Sequence, residues 1–244
     1  MHYMHIITLF WILIAIVTFF LLIKVTAPFG RHTQNGWGVL IDNKMGWIFM
    51  EIVSPIALII SYSIFFEKGN QISYFLIVLW VLHYVNRSLV FPFRINTKGK
   101  KMPISIMLSA IGFNIVNGTI NGYFLAKSPS DLNILFGIGF IIFIVGFITN
   151  NWADTKLINL RGPNETGYKI PKGGLFNYIS CPNLFGEIIE WIGYALMAQN
   201  LGAISFVIWT IANLAPRAFA HHKWYLEKFE DYPKDRKALI PFVI

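Results

Sequence analysis

Five stretches of the chain, 5–23, 47–66, 72–91, 104–125 and 132–151, carry few or no charges. Each is close to the roughly 20 residues with which an α-helix crosses about 30 Å of hydrocarbon. Two more apolar runs, 184–198 and 202–216, lie close together, and the first of them contains Glu187 and Glu190. The pattern predicts an all-α polytopic membrane protein with seven transmembrane helices. Composition agrees: 55% of the 244 residues are hydrophobic and 13% are charged, against about 25% charged in a soluble globular domain. The mean hydropathy is +0.56.

The first run is long, lacks a basic segment before it and meets Lys24 without a small-residue cleavage site. It is expected to stay as a helix and not to be removed as a signal peptide. Lys and Arg gather on the cytoplasmic side of membrane proteins. Here they fill alternate connections: Lys24, Arg31 and Lys44; Arg94, Lys98, Lys100 and Lys101; Lys156, Arg161, Lys169 and Lys172; then the tail. The other connections hold Lys68, Lys127 or none. The N-terminus is therefore expected outside and the C-terminus in the cytosol.

The formal charge of +8 is mostly this asymmetry, so no basic face for nucleic acid is expected. The one cysteine, Cys181, excludes an intrachain disulfide and a cysteine-rich metal site. With no internal repeat and no long linker, residues 1–244 read as one domain with a cytosolic loop at about 150–183 and a polar tail at 217–244.

Polar groups inside spans are costly unless they face a cavity or a partner. Glu51 precedes Ser54 and Pro55, where a kink is expected. Tyr84 and Arg87 share a helix face by their spacing, as do Glu187 and Glu190. Asn114, Asn117 and Asn121 form a stripe, and Asn213 and Arg217 lie four apart. Taken singly, such residues are packing glue or ion-pair partners. Spread over five helices, they point to a shared polar cavity. Trp37, Trp47 and Trp152, at span ends, are expected to anchor the interface. The Gly- and Asn-rich loop and the tail's Arg217, His221, His222, Lys223 and Tyr225 can meet on the cytosolic face and clamp a large anionic cofactor such as a dinucleotide. There is no GxGxxG, Walker loop, HExxH or GxSxG, so a nicotinamide site must be of a different kind.

The stretches YKIPKGGLFNYISCPNLFGEIIEWIGYA (168–195) and RAFAHHKWYLEKFEDYPKDRKALIPF (217–242) resemble the steroid 5-alpha-reductase family, and the likeness extends over nearly the whole chain. The resemblance implies a seven-helix membrane bundle with NADPH held toward the cytosol and no metal. It implies that Glu51 and Tyr84 hydrogen-bond the 3-keto oxygen of a steroid enone. The 4-pro-S hydride then attacks C5, and the enolate takes a solvent-derived proton at C4. Stabilising the negative charge on that oxygen is what makes the β-carbon an acceptor. By the same matching, Asn150, Asp154, Arg161, Tyr168, Asn183, Glu187, Glu190, Arg217, His221 and Tyr225 hold the cofactor, with Lys100 where mammalian relatives have arginine and Asn117 on the same cavity.

Where the mammalian steroid enzymes have glutamine, this chain has Met50, so enone reduction is the firmer expectation and the steroid the looser one. The Ile, Asn and Lys bias and the short N-terminus fit a bacterial source, hence the inner membrane; in a eukaryote the place is the endoplasmic reticulum membrane. No obligate protein partner is expected. The competing readings are a reductase of a polyprenol or enoyl lipid, a membrane methyltransferase using S-adenosylmethionine, and a transporter, which the absence of paired repeats disfavours.

Overall fold

The computed structural model describes residues 2–27, 37–67, 71–95, 99–128, 130–162, 165 and 167–244; Arg31, Lys68 and Lys98 of the loop charges lie outside them. Helices dominate. In chain order they are α1 (His2–Lys24), α2 (Asn43–Phe65), α3 (Gln71–Val85), α4 (Phe91–Arg94), α5 (Ile104–Lys127), α6 (Ile134–Asn159), α7 (Pro182–Ala198) and α8 (Leu201–Lys228). A π-helical turn, Asn86–Val90, joins α3 to α4, so that Gln71–Arg94 is one span. A two-stranded antiparallel ladder, β1 (Leu40–Asp42) with β2 (Lys101–Pro103), ties the start of α2 to the start of α5.

Among the described residues, six helical stretches are long and apolar enough to cross a membrane: α1, α2, Gln71–Arg94, α5, α6 and α8. The run 184–198 is also helical, but α7 has 17 residues, about 25 Å at 1.5 Å per residue, short of a full hydrocarbon crossing. α1 shows what surrounds the bundle. Only Thr8 and Ala15 are buried along it, while Tyr3, Phe10 and Phe20 are 81%, 63% and 59% exposed. Apolar area of that extent is solvated by lipid, not water.

Local signals set the helix ends. Asp42 Oδ1 accepts from the backbone N–H groups of Lys44 and Met45 at 2.9 and 3.1 Å, capping α2. Asn133 and Asn200 cap α6 and α8 in the same way. Pro182 starts α7, where its missing N–H costs nothing. Gln199, in the left-handed region at φ 47°, ends it and turns the chain into α8. α2 continues through Pro55 as one helix.

Close helix contact relies on small residues, since lipid tails supply no hydrophobic drive between helices. On α6, a Cβ at Gly146 would lie 2.3 Å from the backbone N of Glu190; on α7, one at Gly193 would lie 2.3 Å from the N of Phe143. α5 meets α2 likewise, with Gly122 facing the Leu58 carbonyl. Between these pairs sits an aromatic core in which Trp191 lies 4.9 Å from Trp80 and 4.4 Å from Phe206, ring to ring.

Candidate active site

The helices enclose a cavity of about 580 Å³ to which every long helix contributes, within the range of small-molecule sites. Its polar lining comes from the start of α2 and α7 and the end of α3, α6 and α8: Glu51, Tyr84, Asp154, Glu187 and Arg217, with Arg87 from the π-turn. Helices that reverse direction from one to the next bring those termini to a common end. Trp11, Phe113, Phe206 and Trp209 line the part farther along the bundle. Trp209 donates its indole N–H to the Trp11 carbonyl at 3.1 Å, closing α1 onto α8.

One wall is a hydrogen-bonded network. Arg87 Nη1 donates to Asp154 Oδ2 at 3.2 Å, and its guanidinium lies over the rings of Trp47 (4.8 Å) and Phe91 (4.6 Å). Asn183 Nδ2 donates to Asp154 Oδ1 at 3.0 Å, and Asn150 Nδ2 donates to the Asn183 carbonyl at 2.9 Å and to Glu187 Oε2 at 3.3 Å. Flanking it, Asn86 Nδ2 donates to Asn151 Oδ1 at 2.7 Å and Arg94 Nη2 to Thr155 Oγ1 at 2.6 Å, so the π-turn and α4 are laced to α6. Widened turns of this kind recur at functional sites because they re-aim side chains. Here the turn carries Arg87, three residues after Tyr84.

The other wall is sparse. Glu51 and Tyr84 take part in few hydrogen bonds there: Tyr84 meets the Ser54 side chain, and Trp80 is stacked 5.5 Å from its ring. Met50 lines the cavity beside Glu51, and its carbonyl accepts from Asn114 Nδ2 at 2.6 Å. Glu51 lies within electrostatic reach of Arg87, Glu187, His83 and Arg217.

Of the residues expected to activate the substrate or hold the cofactor, seven line this cavity: Glu51, Tyr84, Asp154, Asn183, Glu187, Arg217 and His221. Asn150 stands behind the lining and holds two of its members. Glu190 does not reach it. Fully buried, it meets His83 instead, with Oε1 2.7 Å from Nδ1. Asn117 is also fully buried outside the lining, its carbonyl and Oδ1 accepting from Asn121 at 2.9 and 3.3 Å. Lys100, Arg161 and Tyr168 gather apart from the cavity. Lys100 Nζ donates to the Tyr168 hydroxyl at 3.3 Å, the Arg161 guanidinium lies 5.2 Å from the Tyr168 ring, and that ring meets Trp224 at 4.9 Å. Trp224 is three residues past His221 on α8, which puts this group beside the polar end. Tyr225 is buried against Tyr232, ring to ring at 5.1 Å, in the folded-back tail.

Sequence reasoning placed Arg87 on one helix face with Tyr84 without a catalytic or cofactor role, took Trp47 as an interface anchor and gave His83 no role. Trp47 faces inward, not the interface where a span-end tryptophan was expected. The signal for Arg87 was present, since an arginine within a span needs a partner.

The residues present suit a dinucleotide. Arg217 and His221, one turn apart, offer charge and donors to phosphate, while Glu187 and Asn183 can accept from and donate to hydroxyls or a carboxamide. Such a cavity belongs to a membrane-embedded enzyme that brings an apolar substrate to a polar co-substrate. The family model for 3-oxo-5-alpha-steroid 4-dehydrogenase matches residues 100–244. Similar proteins include the steroid 5-alpha-reductase DET2 of Solanum lycopersicum, 39% identical over 97% of this chain and 95% of the relative. The DET2 of Gossypium hirsutum is 40% identical over 95% and 93%, and the 3-oxo-5-alpha-steroid 4-dehydrogenase 1 of Bos taurus is 39% identical over 95% and 93%. The chain belongs to the 3-oxo-5-alpha-steroid 4-dehydrogenase family. These relatives are plant and mammalian, so the bacterial source read from residue bias finds no support among them.

Proposed function

We propose that this protein reduces the C4–C5 double bond of 3-oxo-Δ4 steroids to 5α-3-oxosteroids, consuming NADPH and one proton. The observation that carries this reading is the pairing of Glu51 and Tyr84 on the apolar wall of a cavity whose opposite wall is a charged network, in a chain of this family. An apolar ring system fits the part lined by Trp11, Phe113, Phe206 and Trp209. Its keto oxygen then meets the two polar groups of the sparse wall.

NADPH supplies the hydride that C5 accepts. Tyr84 donates its phenolic proton in a hydrogen bond to the keto oxygen, and Glu51 contributes a carboxyl hydrogen bond to the same atom. Both bonds strengthen as charge develops there, which lowers the barrier more than it tightens substrate binding. Trp80 and the Asn114-held Met50 carbonyl fix the two elements that carry the pair. Arg217 and His221 take phosphate, Glu187 and Asn183 take hydroxyls or carboxamide, and Arg87, locked by Asp154, keeps that wall in place. Lys100, Arg161 and Tyr168 extend the site beside the mouth, with Asn150, Glu190, Asn117 and the buried Tyr225 acting behind the lining. C4 takes its proton from solvent-derived acid.

In the same proposal residues 1–244 are one reductase domain, α7 completes a seven-helix bundle, and the polar end faces the cytosol, as the lysine-rich connections favour. The protein works as a multi-pass membrane enzyme in whichever host membrane supplies its steroid. Detergent-purified protein incubated with NADPH and testosterone or progesterone is expected to yield a steroid two mass units heavier. Measurable NADPH binding with no reduced steroid would contradict the substrate assignment.

A further inference from the structure

A second cavity, of about 850 Å³, lies on another flank of α6 and shares no lining residue with the first. Phe147 and Ile148 form its apolar part toward the middle of α6, with Leu160 and Ile170 farther along. Ile148 is 60% exposed and continues a ridge from Ile141 and Val145, which by their spacing share a face of α6. Toward the end of the helix the lining becomes Trp152, Lys156 and Lys172. The Lys156 ammonium donates to the Lys172 carbonyl at 3.2 Å and lies 5.7 Å from the Trp152 ring. Arg94 reaches the same place, bonded to the groove residue Thr155. Among the described residues no carboxylate lines the groove.

We propose that this groove is a binding site for one anionic phospholipid, its acyl chain along the α6 ridge and its phosphate between Lys156 and Lys172. The ridge is exposed apolar surface on a membrane-spanning helix, so hydrocarbon covers it. Tryptophan sits where hydrocarbon gives way to headgroups, which places the two lysines at phosphate depth. A zwitterionic lipid would bring its own ammonium to a groove already rich in cations and without a carboxylate to receive it. An anionic headgroup meets no such conflict. The site stands independently of the reductase reading, because it rests on a separate cavity.

The test uses the detergent-purified full chain, delipidated and then offered phosphatidylglycerol or phosphatidylcholine of matched chains, with bound lipid read by native mass spectrometry. The wild type is expected to retain phosphatidylglycerol about thirtyfold more strongly, which corresponds to roughly 1 kcal/mol for each of the two lysines near an anionic headgroup. The double variant Lys156→Gln/Lys172→Gln is expected to lose the preference and Lys156→Arg/Lys172→Arg to restore it. The exposed single variant Lys172→Gln, which disturbs no packing, is expected to weaken it. Equal retention of the two lipids would overturn the proposal. So would a preference unchanged in the double variant, or lost equally in Lys24→Gln/Lys44→Gln, whose lysines lie elsewhere.

Discussion

The two walls of the main cavity differ in how their polar groups are held. On the α6–α7 side, Arg87, Asp154, Asn183, Asn150 and Glu187 bond to one another, so each side chain has little freedom. On the α2–α3 side, Glu51 and Tyr84 are held by far fewer bonds, Tyr84 by Ser54 and by the stacked Trp80 ring. A dense network suits a large polar ligand with many groups to satisfy. Two groups in an apolar wall suit a ligand with one oxygen.

This contrast breaks first at Asp154. Asp154→Ala removes the carboxylate that accepts from the Arg87 guanidinium, leaving Glu187 and Glu51 within electrostatic reach, and removing one member of a buried pair costs up to about 3–5 kcal/mol. The variant is expected to lose thermal stability and NADPH affinity together; an unchanged melting temperature in detergent would show that the network wall is not held by this pair. A smaller effect is expected at the helix contact that carries the network. Gly193→Ala places a Cβ against the α6 backbone, an overpacking cost of about 1–3 kcal/mol, read as a lower melting temperature with kcat per folded molecule little changed. The smallest effect belongs to the outlying group. Lys100→Gln removes an exposed cation outside the cavity and is expected to raise the KM for NADPH by less than about fivefold, since exposed pairs contribute about 0–1 kcal/mol; a larger rise would draw the Lys100, Arg161 and Tyr168 cluster into the network wall.

Much of the fold is legible in the sequence because hydropathy reports the solvent. α1 is the plainest case, being apolar on nearly all faces and buried at only two positions. α7 is harder to read: its helix is evident, but it is too short to be marked as a span by length alone. The glycines that seat it on α6, Gly146 and Gly193, become meaningful only when the two helices are seen as neighbours.

The site is legible residue type by residue type, less so in who meets whom. Glu187 and Glu190 share a face by spacing, yet three residues turn an α-helix about 60° short of a full circle. That offset suffices to send Glu187 into the cavity and Glu190 to His83. Asn114 and Asn117 part in the same way, one lining the cavity and one bonded to Asn121. Lys100, Arg161 and Tyr168 come from segments far apart in the chain, and sequence pattern carries no record of their meeting.

The measurement that tests the two-wall account most directly is steady-state kinetics of Tyr84→Phe beside Glu187→Gln, with NADPH binding measured separately for each. Tyr84→Phe keeps the ring and its contact with Trp80 but loses the donor to the keto oxygen. It is expected to lower kcat about 10²-fold, in line with removal of one oxyanion donor, and to leave NADPH affinity unchanged. Glu187→Gln is expected to weaken NADPH binding with a far smaller change in kcat. A Tyr84→Phe variant with wild-type kcat, or one that loses NADPH affinity as Glu187→Gln does, would contradict the assignment of carbonyl activation to one wall and cofactor binding to the other.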